Sequence, residues 1–213
     1  HRVVSELQRF ARLLRRYASY EPPYLFAYSR GLRVLAKLLA PIAPYLAEEL
    51  WHLLEEDGLV AGADWPESLR DVEGYRIERE LVRTTLADVR DITDVVDITD
   101  PAAIDIVVAE GWKYDAYRIA QGADPDDAIV GAIMGAERMQ AHGDAAAEYA
   151  ADLAERSAGL EPIVDGEQEL DVLQQAAWLF EDEFDADVTV RRASGDDELA
   201  TKARPNKPAI HIS

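Results

Sequence analysis

Leu39-Ala40-Pro41-Ile42-Ala43-Pro44-Tyr45-Leu46-Ala47-Glu48-Glu49-Leu50-Trp51 decides how the first part of this chain folds. A leucine-rich helix runs into the stretch, two prolines three residues apart break it, and a new helix starts at once. Pro44 suits a first helical turn, where its missing N–H costs nothing. Glu48 and Glu49 then fall near the positive end of the new helix dipole. The stretch is a helix–helix corner.

Working upstream, residues 2–19 read as an amphipathic helix. Val3, Leu7, Phe10, Ala11, Leu14 and Ala18 share one face at helical spacing, and Arg2, Arg9, Arg12 and Arg16 fall opposite. Glu21-Pro22-Pro23 closes it, because proline cannot continue a helix. The helix over about 24–40 places Leu25, Tyr28, Leu32, Leu35 and Leu39 in one seam, with Arg30, Arg33 and Lys37 on the far side. Together the two helices predict a bundle that presents a basic wall.

Downstream, the third helix is expected from Pro44 to about Glu56, burying Leu46, Leu50, Leu54 and Trp51, with Asp57-Gly58 as its stop. A loop over 58–74 contains Trp65-Pro66. A long helix follows over about 75–97, with Leu81, Val82, Val89, Ile92 and Val96 inward. Asp88, Asp91, Asp94 and Asp97 recur along it, but they lack the glycine and terminal glutamate of a calcium loop and read as a solvated face.

After Asp100-Pro101 the texture changes. Ile104–Val108 is β-branched and reads as a strand. Gly111 opens a helix to about Gln121, and Asp124-Pro125 caps another. Further helices are expected at 144–157 and 166–184. Asp187–Arg191 reads as a second strand, and Pro208–Ile212, after a polar turn at 194–197, as a third. Strands so far apart, with helices between them, imply a small α+β domain.

The composition narrows the function. Hydrophobic residues make up 48% of the chain, which argues against wholesale disorder. No cysteine is present, so disulfides and thiolate chemistry are excluded. No apolar run reaches the ~18 residues of a membrane span. The net charge of −20 counts against a nucleic-acid binder, which is normally basic. Only four of the basic residues are lysine (Lys37, Lys113, Lys202, Lys207), and a lysine-poor, acidic chain looks like a halophile's protein. At molar salt the Debye length is ~3 Å, so distant carboxylates hardly repel phosphate. The cations also gather at the two ends: residues 1–37 are strongly basic, and the last fifteen carry Lys202, Arg204 and Lys207 with no carboxylate.

His1, His52, His142 and His211 show no metal-ligand spacing, and no nucleophile triad, P-loop or GxGxxG is present. No catalytic residue and no metal site are assigned. The chain opens at His1 inside what reads as a helix, so a piece of a longer protein is expected.

The Pro41-to-Trp51 corner with Trp65-Pro66 resembles the anticodon-binding helical bundle of the class I aminoacyl-tRNA synthetases for leucine, isoleucine and valine. Trp112-Lys113 and the closing Lys207-Pro208-Ala209-Ile210-His211-Ile212 are similar to the C-terminal third of archaeal-type leucyl enzymes. Tyr45 departs from a histidine that many members carry. The resemblance implies a mainly α chain: a bundle over 1–72, truncated at its N-terminus, then an α+β tRNA-binding domain of about three strands over 73–213, with helix 75–97 as connector.

It also implies binding of leucine tRNA, with Arg9, Arg12, Arg16, Arg30, Arg33 and Lys37 on the bundle face. Lys202, Arg204, Lys207, Ile210 and Ile212 would meet the long variable arm. The other implied partners are the catalytic and editing domains of the parent chain, in the cytoplasm and with no membrane. ATP and magnesium are implied for the parent enzyme and no cofactor for this stretch. The alternatives are a valyl or isoleucyl relative and an acidic protein-interaction module.

Overall fold

The computed structural model describes residues 2–19, 24–67, 72–98, 100–123, 129–156, 159–195 and 197–213, with 72 and 73 as backbone alone. The chain divides into two compact units, His1–Arg70 and Asp71–Ser213. The whole is mainly helical with one small sheet.

The first unit holds α1 (Arg2–Ser19), α2 (Leu25–Leu39), α3 (Pro44–Leu53) and a 3-10 turn at Val60–Gly62. Leu7 and Leu14 of α1 bury against Leu35 of α2, joined by Phe10, Tyr28 and Leu32. Gly31 lets the two helices close up: a Cβ there would stand 2.5 Å from Leu14 Cδ2. The corner forms as the sequence predicts. Ala43 N–H donates to the Leu39 carbonyl at 2.8 Å, ending α2, and Pro44 opens α3. Glu48 adds a contact that its dipole position did not foretell, its carboxylate accepting from Val60 N at 3.0 Å and Ala61 N at 3.3 Å.

Several expected core positions move outward. Val3, Leu25 and Leu46 are exposed, Leu25 by 71%. In α3 the buried residues are Ala47 and Trp51, one step around the helix from Leu46, because Ala36 of α2 and Val60 of the turn pack there. α3 also stops three residues before Glu56. Glu55 takes a left-handed φ of 57°, Glu55 N donates to His52 O at 2.9 Å, and Glu56 N donates to Trp51 O at 3.3 Å. That pair of bonds is a Schellman stop made without glycine, so Gly58 is not the terminator. The Glu21-Pro22-Pro23 break lies outside the described residues.

The second unit starts on α4 (Val72–Val96) and continues with β1 (Ala103–Val108), α5 (Gly111–Gly122), α6 (Ile129–Met134), a 3-10 stretch at Glu137–His142, α7 (Gly143–Glu155), α8 (Gly166–Phe184), β2 (Asp187–Arg192) and β3 (Ala209–Ile212). α4 begins where the sequence predicts loop, and its Val96 is exposed rather than inward. Thr85, buried on α4, returns its hydroxyl to the Leu81 carbonyl at 2.9 Å and so leaves no unpaired donor. The cap expected at Asp124-Pro125 lies outside the described residues. α8 is capped by Asp165, which accepts from Gln168 N at 2.8 Å, the N-cap to N3 bond.

The sheet order is β2-β1-β3, with β2 parallel and β3 antiparallel to the central strand. β1 is the most apolar strand because it alone is paired on both edges. Ile104, Ile106 and Val108 join Leu81 and Val89 of α4 and Leu173 and Phe180 of α8 in the main core. A second core gathers Ala116 and Tyr117 of α5, Ile133 of α6, Met139, and Ala150 and Leu153 of α7. On the opposite side of the sheet, Asp105 accepts from Arg191 Nη2 at 2.7 Å.

Candidate nucleic-acid interface

The predicted basic wall separates into two kinds of cation. Arg12 and Arg30 are exposed with no ion pair among the described residues. Arg9 is exposed with a loose pair to Glu6 at 3.4 Å, and Arg16 is half-buried. Arg33 and Lys37 are half-buried and engaged within the first unit instead. Arg33 pairs with Glu56 just beyond α3, and Lys37 Nζ stands 5.5 Å from the Trp51 ring centroid. The helical spacing put all the α2 cations on one face. It could not show that α3 folds back over part of that face.

The tail cations sit on a loop that the rest of the unit holds rigidly. Lys113, at the start of α5, is only 5% exposed. Its Nζ donates to the backbone carbonyls of Ala200 at 2.6 Å, Thr201 at 3.3 Å and Ala203 at 2.8 Å. Burial lowers its pKa. A lysine ammonium has three donors, and all three are spent on one loop.

A second anchor holds the next residues. Glu169 of α8, fully buried, accepts from Tyr114 Oη at 2.8 Å and from Asn206 N at 2.7 Å. Burial pushes its carboxyl up to about 7, against the opposing pull of those two hydrogen bonds and of Arg192. Asn206 has φ 57°, and its side-chain oxygen accepts from Val164 N at 3.3 Å. Arg204 and Lys207 exchange both backbone hydrogen bonds, at 3.0 and 2.9 Å, around Pro205-Asn206. Proline followed by a residue at positive φ is the order that a type II turn requires.

Within this frame Lys202 and Lys207 are exposed, while Arg204 is half-buried and paired with Asp152 at 3.1 Å. Ile210 and Ile212 pack against the main core. Their backbone is another matter. Ser213 exchanges hydrogen bonds with Ala103, so the alternation of an antiparallel ladder turns the peptide groups of residues 210 and 212 to the open edge.

Residues 1–108 match the family model described as the anticodon-binding domain of tRNA ligase. This chain belongs to that family. Among similar proteins, a leucine–tRNA ligase of Halobacterium salinarum is 40% identical over all 213 residues, which is 24% of that relative. A leucine–tRNA ligase of Methanothermobacter thermautotrophicus is 31% identical over 85% of this chain and 20% of its own length. One from Pyrococcus abyssi is 25% identical over 84% of the chain and 18% of its own. The chain therefore spans a quarter or less of the length of these relatives. A Halobacterium relative accords with the lysine-poor, acidic composition.

The two buried groups that hold the tail, Lys113 of α5 and Glu169 of α8, lie beyond the matched residues and are ones that the sequence reading did not single out. A signal for Glu169 was present. It heads the buried stripe Leu173, Ala176 and Phe180 at helical spacing, the one carboxylate on an apolar face. Lys113 is one of four lysines in an arginine-rich chain and precedes Tyr114, another buried residue of α5. Among the described residues no group of three His, Asp and Glu side chains could hold a metal ion, and no helix is long and apolar enough to cross a membrane.

Proposed function

We propose that this chain is the tRNA-binding portion of a leucine–tRNA ligase from a salt-adapted organism, and that it engages the body and long variable arm of leucine tRNA. Adenylation with ATP and magnesium, and editing, belong to other parts of the longer, cytoplasmic protein, which are this portion's partners in the chain. The observation that carries the reading is the tail loop. Lys113 and Glu169 are buried ionisable groups whose hydrogen bonds fix a surface segment bearing Lys202 and Lys207 in an otherwise acidic chain. Rigid placement of cations is useful when phosphates must be met at set positions. Beside that segment the free edge of β3 at Ile210 and Ile212 offers peptide groups to splayed bases, as single-stranded RNA recognition requires.

On the bundle, Arg9, Arg12, Arg16 and Arg30 are the phosphate contacts. Arg33 and Lys37 support them through α3. Arg204 contributes to the tail through its ion pair with Asp152.

The experiment is a binding titration at molar salt with a long-variable-arm tRNA and a short-arm tRNA. Lys202→Glu with Lys207→Glu weakens the long-arm complex at least tenfold and the short-arm complex much less. Equal losses for both tRNAs remove the variable arm from the assignment. No binding of either tRNA by the parent chain leaves the acidic interaction module as the better reading.

A further inference from the structure

Three elements of the second unit meet at the Glu169 carboxyl. α8 carries it, Tyr114 of α5 donates its hydroxyl to Oε2 at 2.8 Å, and Asn206 of the tail turn donates its N–H to the same oxygen at 2.7 Å. The side chain is fully buried, and its other oxygen, Oε1, has no hydrogen-bond partner among the described residues. We infer that Glu169 is a proton-operated latch: neutral, it keeps the turn at 204–207 shut, and ionised, it lets that turn lift while the helices stay in place. The latch goes beyond the tRNA reading and does not depend on it, because every bond in it lies within the second unit.

An ionised carboxylate shut away from water needs a cation in contact, not only nearby. The cation that acts on Glu169 is Arg192 of β2, which draws the carboxyl's pKa down without pairing with it. Arg192 Nη1 donates instead to exposed Glu167 at 2.7 Å, and its Nε and Nη2 are buried with no partner among the described residues. Tyr114 faces the acid as a neutral hydroxyl, its own pKa raised by burial and by Glu169. α4 brings another carboxylate, Glu78, which accepts from the adjacent Gln168 at 2.6 Å, and the tail presents the neutral Asn206. None of these groups neutralises an ionised Glu169 in place.

Of the three elements, the turn is the one free to move. α5 and α8 are packed together: a Cβ at Gly166 would stand 3.0 Å from Tyr114 Cε2, and Tyr114, Leu173 and Phe180 share one core. The turn lies between two fixed points, the carbonyls of Ala200, Thr201 and Ala203 held by Lys113, and Ala209 paired in β3. Its other ties are weak. Asn206 Oδ1 accepts from Val164 N at 3.3 Å, and its Nδ2 donates to Pro162 O at 3.4 Å. The ion pair of Arg204 with Asp152 is partly exposed, and such pairs contribute little. Buried Pro205 is the apolar contact that shuts the turn when the acid is neutral.

The direction follows by linkage. In the lifted form water reaches the carboxyl, which returns to its ordinary 4.5, whereas burial holds it at about 7 in the closed form. Opening therefore releases a proton. The open fraction rises about tenfold per pH unit between those values and levels off above them. Lys207 rides on the moving turn, so the pH sets how firmly that cation is placed.

The test is amide exchange of the full chain, each rate divided by the free-peptide rate at the same pH. Protection of the Asn206 and Lys207 N–H groups falls about fiftyfold between pH 5 and pH 7.5. Both exchange faster than Ile106 of β1 and are insensitive to sub-denaturing urea, as a local opening requires. Glu169→Gln makes the Asn206 protection independent of pH. Arg192→Gln removes the nearby cation and moves the midpoint of the fall to higher pH. Where Glu169→Gln does not fold, the parent chain decides, because the carboxyl 13C resonance of Glu169 titrates with the same midpoint as the Asn206 protection. A resonance that titrates near the ordinary value, Asn206 protection that is level with pH in the parent chain, a midpoint unmoved by Arg192→Gln, or rates that rise with urea in step with Ile106 each overturn the latch.

Discussion

The Tyr114 hydroxyl donates to Glu169 at 2.8 Å in a site closed to water, and the same carboxylate oxygen takes the Asn206 N–H at 2.7 Å. One buried acid thus joins α5, α8 and the tail turn. Its carboxyl is pushed up to about 7 by burial, against an ordinary 4.5. The native state therefore holds the proton over a range in which the unfolded chain releases it.

The sign of the pH effect follows. Stability from this group is fully present below about pH 4.5 and is lost as pH rises through 7. At 1.36 kcal/mol per unit the span is roughly 3 kcal/mol. Glu169→Gln keeps an acceptor for Tyr114 and Asn206 and removes the titration. Urea midpoints at pH 5 and pH 7.5 are expected to fall with pH more steeply in the parent chain than in the variant. Parallel profiles would place the titrating group elsewhere.

Lys113→Met keeps the length of the side chain and deletes its charge and donors. The carbonyls of Ala200 and Ala203 are then left buried and unpaired, at about 1–3 kcal/mol for each such group. The variant is expected to lose about 2–4 kcal/mol in chemical denaturation. Amide exchange should accelerate over 199–207. Lys113→Arg should fail to rescue it, since a planar guanidinium cannot send three donors to the same three carbonyls. Weaker tRNA binding is expected to accompany the loss, because the loop bearing Lys202 and Lys207 loosens.

Much of this fold was legible from periodicity and punctuation. The Pro41-to-Pro44 corner, the β-branched run at 104–108 and the closing alternation at 209–212 each carry a local signal, and each forms. What stayed hidden depends on partners distant in sequence. Leu46 and Trp51 are both apolar and both on α3, and only the packing of Ala36 and Val60 decides that Trp51 is the buried one. Glu55 ends α3 in a left-handed conformation that glycine would have announced. The candidate site follows the same rule. Its exposed cations could be named from charge, whereas Lys113 and Glu169 matter through contacts to residues far along the chain.

The two kinds of bundle cation predict two kinds of variant. Arg12→Glu and Arg30→Glu, at exposed positions with no ion pair among the described residues, are expected to weaken tRNA binding. They should also flatten the plot of log affinity against log salt by about 0.7–0.9 per lost phosphate contact. Arg33→Glu removes the pair to Glu56 and places two carboxylates together. Its effect is expected in the melting of the first unit, at about 1 kcal/mol or less for so exposed a pair, with little change in salt slope. Identical slopes for all three would dissolve the distinction.

Deleting residues 208–213 and substituting Lys207 are not equivalent probes of the tail. The deletion removes β3, which pairs with Ile104 to Val107 of the central strand and packs Ile210 and Ile212 on the core. At about 25 cal/mol per Å² of apolar surface, losing two half-buried isoleucines and a strand edge is expected to cost about 3 kcal/mol or more. Reduced tRNA binding by that variant would then report unfolding as well as lost contact. Lys207→Glu changes an exposed side chain whose backbone bonds to Arg204 are untouched, so stability should hold within about 0.5 kcal/mol. A loss of long-arm tRNA affinity at constant melting temperature in Lys207→Glu is therefore the expected outcome. Full affinity in Lys207→Glu beside a large loss in the deletion would transfer the tail's role from its cations to the free edge of β3.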